Sequence, residues 1–278
     1  MSVDWKRGIY LLRITLRKLG LPTYWHKNSP HTYQVWQHGI MLVFCRRYYS
    51  SYTEFLTTLP HSRLMEYLGL KAVPDEGTLC KEEKRLLPYL SQAAMLLVAR
   101  ILPQNYVGSA DMTGLQTRRA SPYYVRRVLG TYSRRGFARL ELLVWKHYIV
   151  GWLLRLGRQD ELVMFKTLWK RGEQKPTVVT YDKKGDSEPH HKWLEDEGAR
   201  SIAPVRRGAR KGRIRRRLLR HFPQKLYGKR NRVENVNFCF KHRFGDALQA
   251  YTVRGRRAEI ATKMVAHNLF ARLKALLT

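Results

Sequence analysis

The chain is poor in cysteine, in acidic residues and in long apolar runs, and each shortage excludes a class of protein. Its three cysteines among 278 residues lie far apart and form no Cys-x-x-Cys pair. We therefore expect reduced thiols packed as small hydrophobic groups, with neither disulfides nor structural zinc. The longest apolar stretch, 90–102, is interrupted by Ser91, Gln92 and Arg100 and is too short to span a bilayer, which takes about 20 residues. With no signal-like stretch at the N-terminus either, a cytoplasmic protein without membrane association is expected.

Acidic residues are scarce relative to basic ones. The sequence has 21 Asp and Glu against 53 Lys and Arg, so its formal net charge is +32 at pH 7. A charge of this size repels itself unless a polyanion neutralises it, and nucleic acid is therefore the expected partner. Hydrophobic residues make up 44% and aromatic residues 12%, which excludes disorder and makes a ribosome-associated protein a weaker interpretation.

The first part of the chain, residues 1–102, is predicted to be helical. Apolar residues recur at helical spacing over 32–49, and shorter amphipathic helices are expected over 51–59 and 61–70. Asp75 or Thr78 is available to cap the helix that follows the turn at 72–79. Short helices joined by tight turns are typical of helix-turn-helix DNA-binding domains, although a plain helical domain shows the same pattern.

The second part, residues 103–278, is predicted to be an α/β layered domain and not a barrel. Strands are expected over 105–111, 137–144, 146–154, 175–182 and 201–205. Helices are expected over 159–171 and 188–197, and again from 229 to 277 with a break at 252–255. Strands alternating with helices in this way favour a sheet covered by helices.

Two intervals without acidic residues carry much of the positive charge. The interval between Glu197 and Glu234 holds 14 Lys and Arg, and 112–140 holds three arginine pairs interleaved with tyrosines. Charge runs are often only solvated surface, but these lie inside the folded pattern, which favours contact with a phosphate backbone. The residues predicted to make such contacts are Arg118, Arg119, Arg206, Arg207, Arg210, Arg213, Arg215, Arg216 and Arg217.

Asp111 and Asp182 each end a predicted strand. Ligands collect beyond the carboxyl ends of the strands in an open α/β sheet, so both carboxylates are expected in one cleft. Two facing carboxylates repel each other unless a cation lies between them, and a ligand set made only of oxygen suits Mg²⁺ or Mn²⁺. An aspartate after a strand is also a common turn or helix-cap residue, and that interpretation stays open at this point.

A third acid lies in a regular pattern of functional side chains. Tyr227, Arg230, Glu234 and Lys241 follow the spacing Y-x2-R-x3-E-x6-K. At about 100° per residue these four side chains fall within about 60° of arc on one helix. The pattern fits an intrahelical ladder of ion pairs, and it equally fits an active site that combines a metal ligand, phosphate-binding cations and an aromatic platform.

These residues resemble the Y-R-E-K signature of insertion-sequence DDE transposases. The segment 182–188, D-K-K-G-D-S-E, is similar to the block D-K-G-Y-D-S-E that carries the second aspartate of that group. The segment 109–114, S-A-D-M-T-G, is similar to its first-aspartate strand, which commonly reads V-D-S-T-G. The resemblance covers about residues 60–272, with the blocks in the expected order.

The resemblance implies a fold, a mechanism and partners. The fold is an RNase H-like mixed sheet flanked by helices and preceded by an all-helical N-terminal domain. Asp111, Asp182 and Glu234 are the implied catalytic residues and ligands of two Mg²⁺ or Mn²⁺ ions. The implied partners are the double-stranded DNA of transposon ends and target, held by Arg230, Lys241 and Tyr227, and a second copy of the chain. The implied setting is the prokaryotic cytoplasm, and the N-terminal helices are expected to recognise terminal inverted repeats.

Some residues depart from the family pattern. Lys184-Gly185 replaces the usual Gly-Tyr, and the strand segment 139–141 reads R-L-E where K-L-H is common. A domesticated, catalytically inactive DNA-binding relative is therefore the alternative interpretation. The link from 205 to 227 is too short for a large β insertion. His190 and His191 are expected on the solvated surface, while Trp145, Trp152 and Trp169 are expected in the core.

Overall fold

The computed structural model describes residues 4–28, 30–117, 137–157, 159–209 and 211–277, which form two compact units. The helical unit comprises Met1–Arg100 together with Leu248–Thr278, and the sheet unit comprises Ile101–Ala247. The chain enters the sheet unit at Ile101 and returns to the helical unit at Leu248, so the last helix packs within the helical unit, whereas the predicted division kept 103–278 together.

The helical unit consists of short helices around two long buried ones. Its helices are α1 (Trp5–Lys18), α2 (Val35–Tyr48), α3 (Tyr52–Thr58), α4 (Arg63–Leu68), α5 (Glu76–Arg85), α6 (Leu87–Ala99) and the C-terminal helix (Val253–Ala275). Short polar side chains cap several of them. Asp75 and not Thr78 caps α5, since its carboxylate accepts the Thr78 N–H at 2.8 Å, and Thr252 caps the C-terminal helix.

Helix α2 and the C-terminal helix form the centre of this unit. Every residue of α2 from Gln37 to Arg46 is buried, which requires other elements on all sides of the helix. Phe44 of α2 packs edge-to-face on Phe270 of the C-terminal helix at a centroid distance of 5.6 Å. Arg46 is buried as well, and it forms a 2.8 Å ion pair with Glu83 of α5.

The sheet unit contains a mixed five-stranded sheet. Its strands are β1 (Val107–Gln116), β2 (Phe137–Trp145), β3 (Tyr148–Leu156), β4 (Val178–Thr180) and β5 (Arg200–Ile202). Their spatial order is β3-β2-β1-β4-β5, in which β1, β2 and β3 are antiparallel neighbours while β4 and β5 run parallel to β1.

Helices cover both faces of this sheet. They are α7 (Glu161–Arg171), α8 (Glu188–Asp196), α9 (Arg213–Arg220), α10 (Gln224–Tyr227) and α11 (Asn231–Phe244). Ala110 and Met112 of β1 face the core that contains Phe165 of α7, whereas Asp111 faces α11, as the alternation of side chains along a strand requires. The predicted architecture, a mixed sheet flanked by helices and preceded by a helical region, is confirmed.

The structure also tests the expectations for the tryptophans, the cysteines and the link after residue 205. Trp145 and Trp169 are buried as predicted, and Cys45 is a buried thiol, but Cys239 is exposed because it lies on the outer face of α11. The described part of 206–226 holds the helix Arg213–Arg220 and the beginning of the helix Gln224–Tyr227, and no strand. None of the helices in the described part of the chain is both long enough and apolar enough to cross a bilayer.

Candidate active site

The parallel pairing of β1 with β4 brings the two aspartates close enough to interact electrostatically. Ser109 is paired with Thr180, an offset of 71 positions, and the same offset relates Asp111 to Asp182 two residues further on. Asp111 does not end its strand as predicted, because β1 continues to Gln116 through its antiparallel pairing with β2. Asp182 follows the end of β4 and begins a 3₁₀ turn, where its carboxylate accepts the Lys184 N–H at 2.7 Å.

Asp111 is held by a side chain of α11. The Asn237 amide donates to Asp111 Oδ2 at 2.8 Å, joining residues 126 positions apart. Burial raises the pKa of Asp111, while the nearby Arg230 guanidinium and the Asn237 hydrogen bond oppose that rise and the charge of Asp182 adds to it. Asp111 thus lies beside both a second carboxylate and a cation from the Y-R-E-K segment.

The Y-R-E-K residues do not lie on one regular helix, which corrects the predicted single stripe. Tyr227 ends α10, Arg230 ends a 3₁₀ turn at Gly228–Arg230, and Glu234 and Lys241 belong to α11. A short helix and a 3₁₀ turn precede α11, so the four side chains do not follow the spacing of a single α-helix. Arg230 Nη1 donates to Glu234 Oε1 at 2.7 Å, and half of the Glu234 side chain is exposed. Glu234 lies one helical turn from Asn237, the residue that holds Asp111.

Asp111 and Asp182 interact, whereas Glu234 is connected to Asp111 through Arg230. Among the described residues, no group of three or more acidic, histidine or cysteine side chains has the geometry of a metal site. Asp111 interacts electrostatically with Asp182 and with Arg230, and Arg230 binds Glu234. Because like charges repel, each of these carboxylates binds a neutral or cationic group instead, the Asn237 amide at Asp111 and the Arg230 guanidinium at Glu234.

Two further acids, Glu141 of β2 and Glu161 at the start of α7, lie on the other side of the sheet from α11. Glu141 of β2 is 0% exposed, and within the described part of the chain neither of its carboxylate oxygens has a hydrogen-bond partner. Burial raises its pKa well above the ordinary value, and the charges of Glu161, Asp111 and Asp182 raise it further. Burial, followed by the charges of Asp182 and Asp111, also raises the pKa of Glu161 to about 7. Sequence reasoning noted Glu141 only as a departure from K-L-H, although an acid inside the apolar run of 140–145 was the available signal.

The segment after Asp182 is fixed by Asp186. Its carboxylate accepts the Arg206 N–H at 2.8 Å and Arg215 Nε at 2.7 Å, and it lies 3.4 Å from His191 Nε2. Burial opposes the ionisation of Asp186, but the hydrogen bonds from Arg206 and Arg215 prevail and lower its pKa. Glu188 completes the contact, since its carboxylate accepts two N–H groups at the start of α9. The D-S-E part of the motif therefore joins the Asp182 loop to the arginine-rich helix.

The adjacent histidines are buried, and their predicted exposure on the solvated surface is wrong. His191, at 0% exposure, places Nδ1 2.8 Å from Ser201 Oγ and Nε2 towards Asp186. His190 packs edge-on against the ring of Tyr181 at 5.1 Å, and burial followed by the charge of His191 lowers the pKa of His190 to about 4. Both side chains face the interior because the N-terminal half of α8 packs against the sheet, where His191 meets Ser201 of β5.

The described arginines of 206–217 fall into two groups, those held by other parts of the fold and those that are exposed to solvent. The Arg206 guanidinium donates to the carbonyls of Lys183 and Lys184, and Arg215 binds Asp186, so these two hold the loop after Asp182. Arg213 and Arg217 both pair with Glu195 of α8. Arg207 and Arg216 are exposed, and Arg216 makes only a local bond to the Gly212 carbonyl. Arg118, Arg119 and Arg210 lie outside the described residues.

An exposed aromatic residue on α11 was not predicted. Phe238 is 70% exposed, and it lies one turn after Glu234 on the same side of the helix. Its ring lies nearly parallel to the ring of His242, with a centroid distance of 6.0 Å and an interplanar angle of 26°. Lys241 lies on the same stretch of α11. The available signal was the apolar residue at position +4 from the glutamate.

The comparisons with known proteins give the family of the chain. The family model for the transposase DDE domain matches residues 106–269, which is more than half of the chain. The chain belongs to the transposase DDE domain family. Among solved structures, it is similar to a piggyBac transposase in a synaptic complex with hairpin DNA, at a TM-score of 0.47 and 10% identity over 98% of this chain and 73% of that chain. A search of curated proteins gave no match.

Proposed function

We propose that the protein is a DNA transposase that cuts and joins transposon ends by metal-dependent phosphoryl transfer, with Asp111, Asp182 and Glu234 as its catalytic acids. The observation that carries this proposal is the parallel pairing of β1 with β4, which brings Asp111 of β1 within electrostatic range of Asp182, two residues after β4. The Asn237–Asp111 hydrogen bond supports it further, because it fixes the helix of Glu234 against the same strand.

The donor chemistry of these residues fits divalent cations. Asn237 occupies one oxygen of Asp111, and the Lys184 N–H occupies one oxygen of Asp182, so each carboxylate is oriented and keeps a second oxygen. Oxygen ligands of this kind suit Mg²⁺ or Mn²⁺. When bound, two such ions supply Lewis-acid activation of the attacking hydroxyl and stabilise the charge on the leaving oxygen. Asn237 and Lys184 then act as the groups that hold the ligands in place.

The cations and aromatic residues of the same segment are proposed to hold DNA. Arg230 and Lys241 bind phosphates next to the cleaved bond, and Tyr227 and Phe238 offer ring surfaces to bases at the transposon end. Arg207 and Arg216 add contacts to the phosphate backbone that do not depend on sequence. The helices of the first hundred residues then recognise the terminal inverted repeats. The protein acts as a homodimer, since cutting and joining two ends takes two active sites.

The catalytic assignment is tested by removing one carboxylate at a time. Asp111→Asn and Glu234→Gln should each lower cleavage of a duplex carrying the element's ends by at least 100-fold in Mg²⁺ or Mn²⁺. DNA affinity should stay within about twofold, because neither substitution removes a cation. Glu173→Gln, which changes an exposed acid of the same unit, is the matched control and should cleave normally. Full metal-dependent cleavage by Glu234→Gln would show that the proposed triad is incorrect.

A catalytically inactive DNA-binding relative is the second candidate function. It is favoured by one observation, that the Arg230 guanidinium forms an ion pair with Glu234. This candidate predicts that the wild-type protein binds the ends of its element but never cleaves them in Mn²⁺, even on a substrate with a preformed nick.

A further inference from the structure

A cavity of about 630 Å³ lies within the helical unit, outside the residues considered so far. It is lined by one side of α1 and by the segment that leads into α2. Its polar and aromatic lining residues are Tyr10, Arg13, Arg17, Thr23, Gln34 and Trp36. No acidic side chain is among the lining residues, so the cavity has an unbalanced positive charge.

The spacing of α1 directs the cationic residues into this cavity. Tyr10, Arg13 and Arg17 recur at intervals of three and four residues, which places them on one side of the helix. Leu12 and Leu16 lie on the other side and are fully buried in the core of the unit. The core therefore fixes the rotation of α1, and that rotation presents two guanidinium groups one turn apart.

One of these guanidinium groups is held in place by an aromatic ring. The Arg13 guanidinium carbon lies 4.3 Å from the centre of the Trp36 ring, within the range of a cation–π contact. The Trp36 indole N–H in turn donates to Gln34 Oε1. Among the described residues, neither Arg13 nor Arg17 forms an ion pair with a carboxylate. Arg13 is thus oriented without being neutralised.

We propose that this cavity binds a nucleotide of single-stranded DNA, with its phosphate between Arg13 and Arg17 and its base stacked against Tyr10. Guanidinium groups match the geometry of phosphate oxygens, and aromatic rings stack on bases of any sequence. The volume lies within the range of about 300–1,000 Å³ that small-ligand sites occupy and is too small for a double helix. Tyr10 is 64% exposed, so its ring is open to a base. The choice of DNA as the ligand rests on the proposed transposase function.

The cavity is tested by a charge-matched pair of double variants of the full-length protein. Arg13→Gln/Arg17→Gln should weaken binding of a fluorescent oligothymidylate hexamer about tenfold. It should also lower the log–log salt slope by about 0.7, the value for one phosphate of a single strand. Arg7→Gln/Lys18→Gln removes the same charge from exposed positions of α1 outside the cavity, and it should weaken binding less than twofold. Equal weakening by both pairs would overturn the proposal, because it would mean a general loss of charge.

A second measurement locates the bound strand directly. A hexamer carrying 5-iododeoxyuridine should cross-link to peptides that contain Tyr10 or Trp36, and Tyr10→Ala should remove the cross-link at residue 10. Cross-links confined to other segments would overturn the proposal. Asp111→Asn should leave both measurements unchanged. Loss of cleavage in that variant with normal cross-linking concerns the active site alone, and absent cross-linking in a protein that cleaves normally rejects only the nucleotide site.

Discussion

At the scale of a single residue, the pKa of Glu161 is shifted by its burial and by the acids of the candidate active site. It begins α7, where Asp160 caps the helix, and only 7% of it is exposed. Removal from water is the largest cause of its raised pKa, and the charges of Asp182 and Asp111 are the next. The folded protein therefore holds a proton on Glu161 at a pH where the unfolded chain releases it.

This proton makes part of the folding stability dependent on pH. The Glu161 pKa rises from 4.5 in the unfolded chain to about 7 in the folded protein. Its contribution is complete below pH 4.5, is lost progressively as the pH rises, and is gone above about pH 7. The difference corresponds to about 3 kcal/mol. Glu161→Gln should flatten this part of the decline in urea unfolding free energy between pH 4.5 and 8 in metal-free buffer, whereas Glu173→Gln should not. Parallel curves for wild type and Glu161→Gln would contradict the assignment.

At the scale of elements, the most informative contact is the one between α9 and the loop after β4. Arg215 of α9 reaches Asp186, whose side chain is completely buried, and Glu188 accepts the first N–H groups of α9. Gly185 tightens the same loop, because a Cβ at that position would lie 2.4 Å from Cβ of Tyr181. The departure from Gly-Tyr noted at 184–185 thus has a packing reason in this chain. The loop that carries Asp182 is held by these contacts.

Neighbouring arginines of α9 provide a test of this contact. Arg215→Gln leaves the buried Asp186 carboxylate without its cation and should cost about 3 kcal/mol of unfolding free energy. Arg216→Gln removes the same charge from an exposed position of the same helix and should cost less than about 0.5 kcal/mol. Urea unfolding of both variants gives the comparison. Equal stabilities would mean that α9 is not fixed through Asp186.

At the scale of the whole molecule, the net charge of +32 is the dominant property. The basic residues do not all contribute alike to binding, because several arginines of 206–217 are engaged by Asp186, Glu195 and loop carbonyls. Among the described residues of this segment, Arg207, Lys211 and Arg216 are exposed and pair with no carboxylate, so they are available to a phosphate backbone. Counting basic residues in the sequence therefore overestimates the number available to DNA.

The salt dependence of duplex binding measures that number. Arg207→Gln/Arg216→Gln should lower the log–log salt slope by about 1.8, since each lost phosphate contact accounts for about 0.9 on duplex DNA. Lys170→Gln/Arg171→Gln, a charge-matched change at the exposed end of α7, should alter the slope by less than half as much. Fluorescence anisotropy between 50 and 200 mM salt gives both values. An identical slope for all three proteins would exclude Arg207 and Arg216 from the DNA contact.

The sequence by itself determined the local structure and the chemical types of the candidate site. Alternation of apolar residues predicted β2 and β3, and helical spacing predicted α2 and α7, because these signals depend on neighbours only a few positions away. The resemblance of three short blocks pointed to Asp111, Asp182 and Glu234, and the match to the transposase DDE domain confirmed the family.

Only the tertiary structure decided which side chains meet. Asn237 and Asp111 are 126 positions apart, and Arg215 and Asp186 are 29 apart, so no local pattern could pair them. The same holds for the burial of His190, His191 and Glu141 and for the membership of the C-terminal helix in the helical unit. In each case the outcome depends on which surface another segment covers. That is settled by packing of the whole chain and not by the residues of one element.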